Sequence, residues 1–77
     1  MERKNNYMKI NDEVAWTWGS GIAVGIILDI SYERTVIISK GKEIVRKGSK
    51  EDPAITIKHK NGNLVIKLAH ELQKINN

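Results

Sequence analysis

Two of the few aromatic residues in this chain could take part in molecular recognition. Trp16 and Trp18 stand two positions apart, so on an extended strand their side chains share one face. With Tyr32 or Tyr7, one of these indoles could form an aromatic cage that holds a methylated ammonium group by cation–π attraction. A cage needs several converging rings with an acid nearby, whereas a small core needs large apolar side chains. We expect Trp16 in the core. For Trp18 the two roles stay equally open, and we expect it half exposed at the end of its strand, beside a glycine turn.

A short basic stretch is the second feature that could bind a partner. Its cations, all within residues 40–50, are Lys40, Lys42, Arg46, Lys47 and Lys50. Such a stretch could follow a phosphate backbone, but it contains no aromatic residue on which a base could stack. The alternative is that these charges keep a small domain soluble and block its sheet edges. We expect Arg46 to form an internal salt bridge, with Asp52 or Glu51 as its partner.

Patterns for catalysis and metal binding are weak in this sequence. The chain has no cysteine, which excludes disulfides, thiolate metal sites and cysteine nucleophiles. His59 and His70 are eleven residues apart, without the spacing of a metal-binding pair, so we expect both on the surface. The serines lack the pattern of a nucleophile elbow. We therefore predict a protein that is not an enzyme and that needs no cofactor and no metal ion.

Length and composition favour one small folded domain. The 77 residues are 40% hydrophobic and 29% charged, with 13 Lys and Arg against 9 Asp and Glu and a net charge of +4. No apolar run approaches the roughly 20 residues that cross a bilayer, and the polar N-terminus lacks the apolar segment of a signal peptide. We expect a cytoplasmic protein without membrane contact. Residues 1–8 are predicted as a flexible lead-in, and residues 9–75 as the single domain.

The hydrophobic pattern predicts several short strands. Period-two alternation and β-branched residues indicate strands over residues 13–18, 22–30, 35–39, 54–59 and 64–68. Whether residues 43–47 return as a strand or stay a loop is left open. Gly25, inside an otherwise apolar strand, suggests a bend or a close backbone approach.

Turns and a change of period complete the pattern. Asn61-Gly62 is a strong hairpin signal because both residues accept a positive φ, and Gly41, Gly48 and Gly62 are predicted at turns that need one. Apolar residues at 68, 72 and 75 follow helical spacing, which predicts one or two helical turns over residues 69–74. Short strands with a terminal helical turn in so small a domain indicate a strongly bent antiparallel barrel.

Several segments together resemble a known family. They are INDEVAWTWG at 10–19, AVGII at 23–27, KGKEIVRKGS at 40–49, DPA at 52–54, NG at 61–62 and KLAHEL at 67–72. In this order they resemble the small bacterial and fungal family called hypervirulence-associated protein, Tudor domain, over about residues 9 to 74. The resemblance implies an SH3-like, Tudor-like β-barrel and says little about mechanism.

Three positions depart from that family. Asn11 stands where the family usually has Gly, and Asn also adopts a left-handed turn conformation. Asp52 replaces an Asn before the Pro-Ala pair. Ile55 stands where the family often has Tyr, which is expected to remove one aromatic ring from a binding surface.

From these features we expect a mainly β fold, a small SH3-like or Tudor-like antiparallel β-barrel with a short C-terminal helical turn. The leading hypothesis is a binding module that presents its barrel rim to a protein or peptide partner. The candidate site residues, which join the exposed aromatics to the densest charge, are Trp18, Tyr32, Lys40, Lys42, Arg46 and Lys47. The alternative is a nucleic-acid-associated module that places the basic stretch on phosphates. A structural subunit that self-associates through an open sheet edge is a third hypothesis, and the oligomeric state is left open.

Overall fold

The computed structural model describes residues 8–75, which form seven β-strands and one 3₁₀ turn. The strands are β1 (Glu13–Trp18), β2 (Gly21–Ser31), β3 (Arg34–Ser39), β4 (Lys42–Lys47), β5 (Ala54–His59), β6 (Leu64–Leu68) and β7 (Gln73–Lys74). Residues 43–47, which the sequence left open, belong to β4. The predicted lead-in lies outside the described residues except for Met8, which packs against the core.

The strands form one five-stranded sheet and one separate hairpin. The large sheet has the order β6-β5-β2-β1-β7, and every neighbouring pair is antiparallel. Strand β2 is 11 residues long, and its register with β5 shifts between Ile27 and Asp29. A bulge of this kind bends and twists the strand. The predicted fold class, a small SH3-like or Tudor-like antiparallel β-barrel with a short C-terminal helical turn, is confirmed.

One face of this bent sheet holds the core. Its buried members are Val14, Trp16, Ala23, Ile27, Ile55, Ile57 and Leu72. The register places Trp16 opposite Ala23, a small residue that leaves room for the indole. Trp16 is 6% exposed, so its predicted place in the core is confirmed.

The C-terminal segment contains less helix than its apolar spacing predicted. The 3₁₀ turn covers only Ala69–Glu71, and Gln73–Lys74 then pair with β1 as β7. The open edge of β1 captures this segment, since the Ile75 N–H also donates to the Glu13 carbonyl at 3.0 Å. The prediction of helical turns up to residue 74 is therefore wrong beyond Glu71. Within residues 8–75 no helix is long and apolar enough to cross a membrane.

Of the turn predictions, the hairpin at Asn61-Gly62 is confirmed and the one for Gly48 needs correction. In the β5–β6 hairpin only Gly62 has a positive φ, of 95°, and its N–H donates to the His59 carbonyl at 2.8 Å. Residues 60–63 form the loop of this hairpin. Gly48 has no positive φ. It is needed for close packing instead, because a Cβ there would lie 2.6 Å from the Ser31 carbonyl oxygen.

The hairpin of β3 and β4 lies between β2 and β5 in sequence and packs against β6. The Ser39 hydroxyl anchors it by donating to the Leu64 carbonyl at 2.7 Å. Lys40 and Gly41 form its tight turn with φ values of 55° and 77°, as two-residue hairpin turns of this type require. The left-handed conformation costs a side chain such as that of Lys40 about 1–2 kcal/mol.

Replacing Gly25 by alanine should destabilise the barrel. The new Cβ would lie 2.5 Å from Ile57 Cγ2 and 2.6 Å from the Lys58 carbonyl oxygen, so β2 and β5 would have to separate. We expect Gly25→Ala to lower the free energy of unfolding in urea by about 1–3 kcal/mol. Gly21→Ala is the matched control, because its Cβ meets only Trp18 Nε1 at 3.9 Å. Both changes restrict the unfolded chain equally, so equal stabilities of the two variants would contradict the close contact.

Candidate functional site

A groove of about 380 Å³ lies where the end of β1, the β3–β4 turn and the β5–β6 loop meet. We call it the Trp18 groove. The residues that line it are Trp16, Trp18, Ala23, Ser39, Lys40, Ile44, His59, Asn61, Asn63, Leu64, Val65, Ile66 and Lys67. Aliphatic and aromatic side chains thus form much of its surface, with a few polar groups among them. This mixture is typical of sites that bind a ligand side chain.

The two tryptophans have different roles in this groove. Trp16 belongs to the core, and its ring meets the His59 ring edge-on with centroids 5.7 Å apart. Trp18 follows on the same strand face but lies past the core, where 64% of its surface is exposed. The rim position predicted for Trp18 is therefore found, with more exposure than expected.

His59 differs from the plain surface histidine that its sequence context predicted. It is half-buried and lines the groove beside Trp16. Its Nδ1 accepts a hydrogen bond from the Asn61 N–H at 3.0 Å. The neutral ring therefore carries its proton on Nε2. The Asn61 side-chain oxygen in turn accepts the Asn63 N–H at 2.9 Å, so local hydrogen bonds fix this loop.

The charged side chains that line the Trp18 groove have one sign. Lys40 comes from the β3–β4 turn and Lys67 from β6. Among the described residues that line the groove, none is an aspartate or a glutamate. An anionic ligand group would therefore meet attraction there, which the nearby Glu71 carboxylate weakens on the side of Lys67.

The structure separates the other candidate site residues from this groove. Tyr32 is 58% exposed and lines a different depression together with Glu33 and Lys50. Lys42 and Lys47 stand at opposite ends of β4 and, by strand alternation, on opposite faces of the hairpin. Of the six residues predicted as a site, the structure brings Trp18 and Lys40 together in one groove.

Arg46, another candidate, forms the internal salt bridge that the sequence predicted, but with a different partner. Its Nη2 donates to Glu71 Oε1 at 2.7 Å, so the predicted pairing with Asp52 or Glu51 is wrong. Strand β4 packs along β6, which turns Arg46 towards the residues that follow β6. Asp52 instead accepts the His70 N–H at 2.9 Å and lies 2.6 Å from its Nδ1.

The Glu71 carboxylate links the hairpin to the barrel. Burial raises the pKa of Glu71, but the hydrogen bond from the Leu68 N–H and the charge of Arg46 outweigh it, with a smaller contribution from Lys67. The net pKa lies below the ordinary value. The ionised form is therefore the one that the fold stabilises. Within residues 8–75 no group of three or more histidines and acids could hold a metal ion.

A comparison with protein families identifies the lineage of this fold. The family described as hypervirulence associated proteins TUDOR domain matches residues 12–72. The chain belongs to this family. No curated protein and no solved structure matches the chain. The Tudor-domain family suggests a small binding module, and Tudor-like domains are generally non-catalytic.

The aromatic rings of this Tudor domain do not gather into a cage among the described residues. Trp18 is exposed in the groove, Tyr32 lies in the other depression, and Tyr7 falls outside the described residues. Ile55, where the family often has Tyr, is fully buried. The difference from the family at position 55 therefore affects the core. The expectation that it removes an aromatic ring from a binding surface is wrong.

Sequence reasoning missed several residues of the Trp18 groove. Lys67 and Asn63 had no assigned role in binding, and His59 was expected only as a surface residue. The Asn61-Gly62 hairpin is the signal that could have placed His59 and Asn63, because a hairpin loop brings both of its flanks to one end of a sheet. Lys67 lies towards the other end of β6, opposite Ile55, and this signal does not place it. The approach of Lys40 to Trp18 depends on how the β3–β4 hairpin packs, which local pattern does not encode.

Removing the charge of Glu71 should weaken the link between hairpin and barrel. A group with a lowered folded-state pKa contributes stability above its unfolded value, here 4.5, and loses it as pH falls through the folded value. We expect Glu71→Gln to lower the free energy of unfolding at pH 7 by roughly 0.5–1 kcal/mol. As pH falls below 4.5 the difference from the wild type should shrink, because Glu71 is then increasingly protonated in the unfolded state and, at still lower pH, in the folded state too.

Urea unfolding between pH 3 and pH 7 tests this prediction. Asp12 provides the internal control, because the hydrogen bond from the Lys9 N–H and the nearby Lys74 also lower its pKa. The Glu71→Gln variant should therefore retain part of the acid dependence. A stability difference that stays constant down to pH 3 would contradict the charged link.

Proposed function

We propose that this Tudor-domain protein is a non-enzymatic binding module that presents the Trp18 groove to a protein or peptide partner. The observation that carries the proposal is the exposure of Trp18, 64% of whose surface is open beside a groove. An indole in this position contributes little to the core, which Trp16 already fills. Exposed tryptophans in concave, partly apolar surfaces are frequent anchors of protein interfaces.

The shape and lining of the groove suit one or two side chains of a peptide. Its volume of about 380 Å³ lies at the lower end of the range for ligand pockets. Ile44, Leu64 and Val65 provide aliphatic contact beside Trp18. An apolar side chain inserted there would exclude water from the indole and from these aliphatic groups.

The elements around the groove are held in place before a partner arrives. Ser39 bonds to Leu64 at one end of the hairpin, and Arg46 bonds to Glu71 towards the other. Such fixed walls reduce the ordering cost of binding. This supports a preformed recognition surface.

A nucleic-acid-associated function is the competing hypothesis. Trp18 beside Lys40 favours it, because an exposed ring next to a cation can stack a base. The basic stretch as a whole fits it less well. Arg46 is paired with Glu71, Lys50 lies near Glu33, and the two ends of β4 point their lysines to opposite faces. A phosphate backbone needs cations along one surface, so we favour the peptide partner.

Selection from a random nine-residue peptide display library tests the proposed function. We expect selected peptides to shift the indole N–H signal of Trp18 and the backbone amide signals of Trp18 and Lys40 in NMR spectra of ¹⁵N-labelled protein. Trp18→Ala should weaken their binding at least tenfold and leave stability nearly unchanged, because the side chain is largely exposed. Tyr32→Ala is the matched control, because Tyr32 is an exposed aromatic residue that lines the other depression. This variant measures whether Tyr32 contributes to peptide binding.

Two outcomes of this selection would contradict the proposal. One is that no peptide is selected, or that selected peptides bind Trp18→Ala as tightly as the wild type. The other is that a single-stranded deoxythymidine or uridine decamer shifts the Trp18 signals at physiological salt while no peptide does. The second result would favour the nucleic-acid function, since non-specific phosphate contacts weaken steeply with salt.

A further inference from the structure

The polar side chains of the Trp18 groove point to the chemistry of its partner. We propose that the groove selects a peptide segment in which carboxylates flank an apolar side chain, an inference that rests on the proposed function. The apolar side chain would pack against Trp18, and the carboxylates would lie beside Lys40 and Lys67. The charge of the described lining supports this, since both ionised side chains are cations.

The hydrogen-bonding groups of the groove are also biased towards donors. His59 uses Nδ1 to accept the Asn61 N–H, which leaves Nε2–H as the donor of the neutral ring. Asn61 uses its side-chain oxygen to accept the Asn63 N–H, which leaves its NH₂ group. Asn63 and Ser39 also line the groove and keep acceptor oxygens, but with the two lysines most of the polar side-chain groups of the lining are N–H donors. Ligand carboxylates, which only accept, match such a surface.

The backbone at Lys40 gives a second, independent reason to assign this residue to binding. Its φ of 55° lies in the left-handed region, at a turn position where Asn or Gly is usual. Strain of this kind is common at functional sites, where the side chain serves a purpose other than stability. The turn places Lys40 in the lining of the groove.

The same charges disfavour the ligand of an aromatic cage. A methylated ammonium group would meet Lys40 and Lys67 of like sign, with Trp18 as the one exposed ring of the described lining. Cation–π attraction to a single exposed ring is weak in water. This Tudor domain should therefore reject methyl-lysine and accept acidic segments.

Three matched peptide pools test the inference directly. Each nine-residue peptide has three central positions drawn from Leu, Ile, Val and Phe, and the pools differ only in the flanking residues, which are all Glu, all Gln or all trimethyl-lysine. We expect the Glu pool to shift the Trp18 and Lys40 NMR signals, and the other two pools to bind about tenfold more weakly or not at all. Lys40→Gln and Lys67→Gln should each remove part of the preference for Glu over Gln.

The outcomes separate this inference from the proposed function. Equal binding of the Glu and Gln pools would overturn the acidic preference and leave the peptide function standing. Tighter binding of the trimethyl-lysine pool would also overturn it. If no pool binds, and the display library selects nothing, the proposed function itself is wrong. Lys47→Gln is the matched control, since this lysine lies outside the groove and should leave the preference unchanged.

Discussion

The close contact between β2 and β5 at Gly25 is the constraint on which the rest of this small barrel depends. A chain of 77 residues has few large side chains with which to fill a core, so the sheet must bend sharply over itself. Gly25 lets the two backbones approach, and the register shift after Ile27 lets β2 change direction. Together they bring Ile27, Ile55 and Ile57 into one fully buried cluster.

The alternation of side chains along β1 sets the position of the candidate site relative to the core. Val14, Trp16 and Trp18 share a face of β1, and the core ends after the second of them. Trp18 therefore emerges on the core side of the sheet but beyond the core, where the β3–β4 hairpin supplies the opposite wall. Two polar contacts on this hairpin, Ser39 to Leu64 and Arg46 to Glu71, hold that wall in place. Alternate residues of β1 thus have different roles, since Trp16 fills the core and Trp18 is the residue that we propose for recognition.

The sequence predicted the features that depend on neighbouring residues. Strands β5 and β6 have the predicted bounds because alternation and the turn at residues 59–62 are local signals, and Trp16 was placed in the core for the same reason. Features that depend on distant partners were missed. The final strand β7 exists only because the edge of β1 accepts it, and Arg46 meets Glu71 across 25 positions of sequence. The placement of Lys40 and Lys67 in one groove likewise depends on contacts between residues far apart in sequence.

Replacing Lys40 by asparagine tests most directly the claim that Lys40 contributes to binding at the expense of stability. Asparagine suits the left-handed conformation of the turn but lacks the ammonium group. Both the free energy of unfolding in urea and the affinity for the glutamate-flanked peptide pool would be measured on Lys40→Asn and on the wild type. Our account predicts that stability rises by up to about 1 kcal/mol while affinity falls about tenfold. Unchanged affinity in the more stable variant would contradict it.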